Sequence, residues 1–140
     1  MSKDLSSNPS NKEITAEVRA RICEDFVLNS QTGILVLHLE QPGDPASLRI
    51  VLANAAAGKF VGFDVRAEVG RLAVDVFPEN VKLGLSAKYM RLAESGGELD
   101  LGEVVYDDAR VHGLFALKAF AMPGRQVGIT FEKVSEHKRA

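Results

Sequence analysis

The residues that could do chemistry in this chain are few and scattered. Its 140 residues contain one cysteine, Cys23, and three histidines, His38, His112 and His137. They form no nucleophile motif, no phosphate-binding loop and no metal-ligand spacing. The acidic pair Asp107-Asp108 falls in a predicted turn, where carboxylates are usually solvated. We therefore do not expect an enzyme, and we expect no metal site.

A small anionic ligand would need a cation or a hydroxyl group among apolar walls. The side chains that could supply one are Arg71, Tyr89, Arg91, Arg110 and Lys118. Simpler explanations stay open, because Arg71 and Asp75 have the spacing of a helix surface pair and Tyr89 could simply fill a core. A pocket closed by its own side chains is the alternative to a ligand site. The candidate pocket residues are Phe60, Phe77, Tyr89, Arg71 and Lys118.

Composition limits the class of protein further. Apolar residues make up 46% of the chain and charged residues 26%, which is typical of a globular domain. A formal net charge of -2 gives no reason to expect nucleic-acid binding, which needs a concentrated basic face. The sequence lacks a spanning apolar run and a signal peptide, so we expect no membrane contact in this fragment. A single cysteine fits a reducing compartment, and we expect a cytoplasmic protein.

The first part of the chain predicts a leader, a helix and two strands. Residues 1–12 are rich in Ser, Asn and Lys and are predicted to be a disordered leader. Over residues 13–30 an apolar stripe predicts an amphipathic helix; its members are Ile14, Val18, Ile22 and Phe26. Residues 34–39 and 48–53 are strand candidates on either side of a Pro/Gly turn. Asn54 should cap the short helix 55–61.

The remainder predicts one longer helix and three strands. Apolar spacing from Val81 to Ser95 predicts a continuous helix stopped by Gly96-Gly97. Strands are predicted at residues 99–106, 111–121 and 126–132, joined by two turns. Strands grouped before and after the helices predict an α+β fold with an antiparallel sheet.

This order of elements, with three short motifs, resembles a PAS domain. The first motif is a hydrophobic strand ending in Asn and small residues, from Ile50 to Ala56. The second combines Val69-Gly70-Arg71-Leu72 with Asp75-Val76-Phe77-Pro78. The third is the final strand and its exit, from Val127 to Lys138, where Lys133 stands at the family's acidic position. The resemblance implies a PAS domain over residues 31–132, with a five-stranded antiparallel sheet and short helices on one face.

The resemblance also implies a cleft, which in relatives binds haem, flavin, a small acid or nothing. Light-sensing relatives need a cysteine shortly after the asparagine of the first motif, but three alanines follow Asn54. Haem needs an axial histidine, often on the longer helix, and residues 81–95 contain none. Flavin-binding relatives often use a tryptophan, which this chain lacks. We expect no cofactor and keep a small metabolite as an open alternative.

Two strands predict an interaction surface. Both faces of segments 34–39 and 114–120 are largely apolar, whereas a sheet that buries one face should alternate. The N-terminal helix is the obvious cover for the outer face. If it packs within its own chain it leaves a monomer, and if it packs on a second copy it makes a homodimer. The resemblance favours the homodimer, with an interface at Ile14, Val18, Ile22 and Phe26.

The C-terminal segment completes the functional hypothesis. Residues 133–140 are charged and follow the last strand without a turn residue, which predicts the start of an exit helix to a missing output domain. The candidate signal-exit residues are Glu132, Lys133 and Ser135. The resemblance implies a sensory and dimerisation input module of a bacterial signalling protein, of the histidine kinase (two-component) or cyclic-nucleotide enzyme type. The alternative is a stand-alone small-molecule-binding PAS domain.

Overall fold

The computed structural model describes residues 14–135. Helix α1 (Ala16–Asn29) comes first, followed by strands β1 (Gly33–Leu39) and β2 (Leu48–Ala53). The helices that follow are α2 (Ala55–Val61), α3 (Ala73–Val76), α4 (Glu79–Lys82) and α5 (Leu85–Ser95), with 3-10 turns at Pro45–Ser47 and Val65–Glu68. The last strands are β3 (Glu98–Asp107), β4 (His112–Met122) and β5 (Gln126–Val134). The predicted leader and residues 136–140 of the predicted exit helix lie outside the described residues.

A single antiparallel sheet organises the described part of the chain. Its strand order is β2-β1-β5-β4-β3, so the last strand lies in the centre, beside the first. Gly33 pairs with Phe131, which places the start of β1 next to the end of β5. The α+β fold with a five-stranded antiparallel sheet is confirmed.

The core lies between one face of this sheet and the helices from α2 to α5. Side chains alternate across a strand, so Leu35, Leu37 and Leu39 of β1 all point into this layer. The helices contribute apolar side chains opposite them: Val61, Ala73, Val76, Phe77, Leu85, Tyr89 and Leu92. The loop between α2 and α3 packs closely, because a Cβ on Gly58 would lie 2.6 Å from the carbonyl oxygen of Phe63.

The other face of the sheet, called here the outer face, is apolar in part. Val36 of β1 is buried there, and its strand partner is Gly128. The Phe120 ring of β4 lies across that glycine, since a Cβ on Gly128 would come within 2.6 Å of it. Phe120 itself stays 41% exposed. Lys118, two residues earlier on β4, interrupts the apolar surface.

Two predicted boundaries are wrong. The single helix from Val81 to Ser95 is two helices, because Gly84 adopts a left-handed φ of 74° between α4 and α5. An exit helix does not begin at residue 133. Strand β5 continues instead through Lys133 and Val134, since both positions pair with β4.

Candidate functional site

A small cavity lies inside the core, between the sheet and helices α2 to α5. Its volume is about 50 Å³. The walls are mostly aliphatic and aromatic; the residues are Leu35, Leu37, Val61, Ala73, Phe77, Asn80, Leu85, Tyr89, Val104, Tyr106, Val111, Phe115, Leu117, Ile129 and Phe131. Only three of these carry a polar side-chain group: Asn80, Tyr89 and Tyr106. The cavity is therefore an apolar space with a few hydrogen-bonding groups.

Those three polar groups belong to helices α4 and α5 and strand β3. The Tyr106 hydroxyl donates a hydrogen bond of 3.0 Å to the Asn80 side-chain oxygen. Burial raises the pKa of Tyr106 far above its usual value, and the nearby Asp108 carboxylate raises it further. Burial alone raises the pKa of Tyr89 in the same way. Both tyrosines are thus neutral hydroxyl groups at physiological pH.

The structure brings only part of the predicted pocket together. Phe77 and Tyr89 line the cavity, as expected. Phe60 lies beside it instead, with its ring 6.2 Å from that of Phe131. Arg71 is wrong as a pocket residue because its guanidinium is at the surface, 2.6 Å from Glu68. Lys118 is also wrong, because it alternates with the core-facing Leu117 and Ala119 and so points to the outer face.

A polar cover on one side of the cavity was missed by the sequence reasoning. The Arg110 guanidinium stacks 3.7 Å from the centre of the Phe63 ring, and that ring packs on Phe77 of the cavity wall. Glu68 accepts hydrogen bonds from Arg71 and Arg110. The hydrogen bond from Arg71 is the main cause that lowers the pKa of Glu68. The two contacts of Arg110, with Phe63 and with Glu68, join residues more than forty positions apart, so spacing along the chain could not reveal them.

The residues around this cavity do not fit haem or flavin. Among residues 14–135 no histidine lines it: His38 lies on the outer face, and His112 is exposed and bonds to Asp107. The cavity of about 50 Å³ has room for only a few non-hydrogen atoms at roughly 10–15 Å³ each, far fewer than the ring system of either cofactor contains. Over residues 14–135 the structure also shows no cluster of three or more metal-ligating side chains.

Helix α1 presents the second candidate site, an exposed apolar surface. The four residues of its predicted stripe are all exposed: Ile14, Val18, Ile22 and Phe26. Phe26 is 78% exposed, and no residue of the helix is buried. The stripe therefore exists, but within its own chain it does not cover the outer face of the sheet.

One buried side chain fixes the end of α1 to the rest of the domain. Asn54 is fully buried and donates hydrogen bonds to the carbonyl oxygens of Val27 and Thr32. Its own oxygen accepts from the backbone nitrogens of Ile34 and Ala57. The predicted helix cap at Asn54 is confirmed, and the same side chain joins α1, β1 and α2.

The three candidate exit residues lie at or just after the end of β5. Lys133 pairs with Phe115, a residue of the cavity wall. Its side chain lies over Gly113, where an added Cβ would come within 2.7 Å of the Lys133 Cε. Glu132 points to the outer face, opposite Ala116, and Ser135 follows the strand. No helix of the described chain is long and apolar enough to span a membrane.

Comparison with known proteins places this fold. No family model and no curated protein sequence matches the chain, but solved structures do. A domain of a sensory box sensor histidine kinase/response regulator from Geobacter sulfurreducens is 16% identical, with a TM-score of 0.64 over 85% of this chain and 97% of that one. The photoactive yellow protein domain of the sensor histidine kinase Ppr from Rhodospirillum centenum is 18% identical, with a TM-score of 0.58 over 88% and 96%.

A third structure carries the family's name. The PAS domain of an HTR-like protein from Haloarcula marismortui is 18% identical, with a TM-score of 0.54 over 91% of this chain and all of that one. The sheet and the short helices therefore form an α+β domain with the fold of these structures. Its fold is the PAS fold, and at these identities the likeness concerns the fold.

Proposed function

We propose that this PAS-fold domain is a non-catalytic sensory and dimerisation module of a cytoplasmic signalling protein. A second copy covers the apolar stripe of α1, and the segment after β5 carries the signal to an output domain such as a histidine kinase or a cyclic-nucleotide enzyme. The observation that carries the proposal is the exposed stripe on a helix that buries none of its residues. An apolar stripe along a helix normally faces a core or a partner.

Charge supports the outer sheet face of a second copy as the cover. Arg19 follows Val18 and Arg21 precedes Ile22, so at about 100° per residue the two arginines lie on opposite sides of the stripe. The outer face carries carboxylates around its apolar patch; they are Glu98, Asp100, Glu103 and Glu132. An apolar stripe edged by arginines matches an apolar patch edged by carboxylates.

The positions of the chain ends support transmission. Residues 30–32 join α1 to β1, and Gly33 pairs with Phe131 near the end of β5. The dimerisation helix and the exit segment therefore leave the sheet at the same end. A change in how two α1 helices pack would act close to the exit, which is the kind of shift between packings that signalling domains use.

Sedimentation equilibrium tests the dimer. We expect Ile22→Glu with Phe26→Glu to weaken it at least about a hundredfold, because burying each of these side chains is worth about 1.5–3 kcal/mol. Val81→Glu is the matched control, since Val81 is a similarly exposed apolar residue on α4. The proposal fails if the wild-type chain is monomeric at high concentration, or if the double variant dimerises as well as the control.

The alternative function is a stand-alone domain that binds a small molecule. The cavity with its polar groups favours it, whatever the oligomeric state. Native mass spectrometry separates the two functions by oligomeric state, because a dimer supports the first, with or without a retained ligand, and a monomer that retains a ligand supports the second.

A further inference from the structure

Two buried groups in the cavity wall have hydrogen-bonding capacity left over. The Tyr89 side chain is only 3% exposed, and none of the described residues hydrogen-bonds to its hydroxyl. Asn80 is 7% exposed and uses its oxygen to accept from Tyr106, which leaves the amide hydrogens of Asn80 without a partner in the described part of the chain. Buried polar groups are rarely left unpaired, because each costs free energy. Both unused groups are donors, so both call for an acceptor.

The lining residues of the cavity are all uncharged, which excludes an anion as that acceptor. In the part of the chain that the structure describes, the cavity wall contains no lysine, arginine or histidine. The nearest candidates point elsewhere, with Arg110 stacked on the far side of Phe63 and Lys118 on the outer face. Moving a carboxylate from water into an apolar space without a cation is strongly unfavourable. The acceptor must therefore be neutral.

The size of the cavity limits the rest of the molecule. Each water-sized group needs roughly 10–15 Å³ of such space, so 50 Å³ suits about three to five non-hydrogen atoms. Apart from Asn80, Tyr89 and Tyr106 the walls are carbon-rich, and they favour methyl or methylene groups on the remainder of the ligand.

We propose that the cavity is a binding site for a small neutral molecule with one hydrogen-bond acceptor, such as a short ketone, which accepts from Tyr89 and Asn80. This inference rests on the proposed sensory role and names the chemical class that the domain would sense. Tyr106 has a positioning role, because its hydrogen bond to the Asn80 oxygen turns the amide hydrogens of Asn80 away from Tyr106. Neither the acceptor nor the donors need to change charge on binding.

Three probes of nearly the same shape test the class of ligand. Acetone has a neutral acceptor, isobutene has none, and acetate has a charged one. We expect titrations of the whole chain, followed by nuclear magnetic resonance, to show acetone shifting signals from residues around the cavity. Isobutene should bind through the apolar walls alone, and acetate should not shift these signals at neutral pH.

Variants test the two donors. Tyr89→Phe should lower the affinity for acetone about threefold to tenfold, the value of one neutral hydrogen bond, and leave that for isobutene unchanged. Asn80→Leu keeps the number and branching of the non-hydrogen side-chain atoms, removes the amide hydrogens and should act in the same direction. Ser86→Ala is the matched control, because it removes another buried hydroxyl from α5 that does not line the cavity. It should change the affinity for neither probe.

Several outcomes would overturn the ligand assignment. The assignment is wrong if acetate binds in the cavity, or if the wild-type chain does not bind acetone. It is also wrong if Tyr89→Phe lowers the affinity for acetone and the affinity for isobutene by the same factor. If Tyr89→Phe does not fold, the same comparison of the affinities for acetone and isobutene in Asn80→Leu decides the question. Sedimentation of the same samples keeps this result separate from the proposed function, because the dimer can persist while the ligand class is wrong.

Discussion

At the residue scale, the buried side chain of Asn54 joins helix α1, strand β1 and helix α2. It makes four hydrogen bonds to backbone groups, at distances between 2.8 and 3.0 Å. We expect Asn54→Asp to lower the free energy of unfolding by about 2–4 kcal/mol, because a carboxylate oxygen would face the carbonyl oxygens of Val27 and Thr32. Urea unfolding measures the change.

The control for this substitution is another amide side chain. Asn29 is exposed and donates to a carbonyl oxygen one turn earlier in α1. Asn29→Asp should change the stability by less than about 0.5 kcal/mol. An Asn54→Asp change equally small would mean that the buried hydrogen bonds do not fix the end of α1.

Asn54 and Arg71 show what sequence predicts at this scale. The helix cap at Asn54 was predictable because its partner, Ala57, is three residues away. Its bond to Val27 was not, because that partner is 27 residues away. Arg71 was paired with Asp75 on the assumption of one helix, but α3 starts only at Ala73 and Arg71 bonds backwards to Glu68. Local partners follow from spacing, whereas distant ones require the fold.

At the element scale, the break between α4 and α5 depends on Gly84. Its φ of 74° is left-handed, which costs a residue with a Cβ roughly 1–2 kcal/mol. We expect Gly84→Ala to lower the free energy of unfolding by that amount, measured by urea unfolding. Lys82→Ala, at the exposed end of α4, should have little effect. A neutral Gly84→Ala would indicate that a continuous helix is equally stable here.

The helices also show the limit of periodicity. The apolar spacing from Val81 onward indicated a single stripe, yet Val81 is 62% exposed whereas Leu85, Tyr89 and Leu92 of α5 are buried. The helical conformation of Val18, Ile22 and Phe26 was predicted correctly, whereas Ile14 precedes the first residue of α1. Periodicity reveals that a helix has an apolar side. It does not reveal whether the surface that covers that side belongs to the same chain.

At the scale of the whole molecule, the core and α1 have separate roles. The sheet, the helices α2 to α5 and the cavity form one buried cluster to which α1 contributes no residue. Asn54 connects the two parts through the carbonyl oxygen of Val27, and α1 also contacts α2. The core should therefore fold alone, and α1 should stabilise it only by joining two copies.

Removal of residues 1–26 tests this separation and keeps Val27 as the partner of Asn54. Because dimerisation stabilises a protein by mass action, the melting temperature of the full chain should rise with protein concentration. That of the shortened chain should not change. Extrapolated to low concentration, the two free energies of unfolding should agree within about 1 kcal/mol, since the deleted segment that the structure describes has no buried residue. A shortened chain that is unfolded, or that still melts at a concentration-dependent temperature, would show that α1 belongs to the core or that another surface makes the dimer.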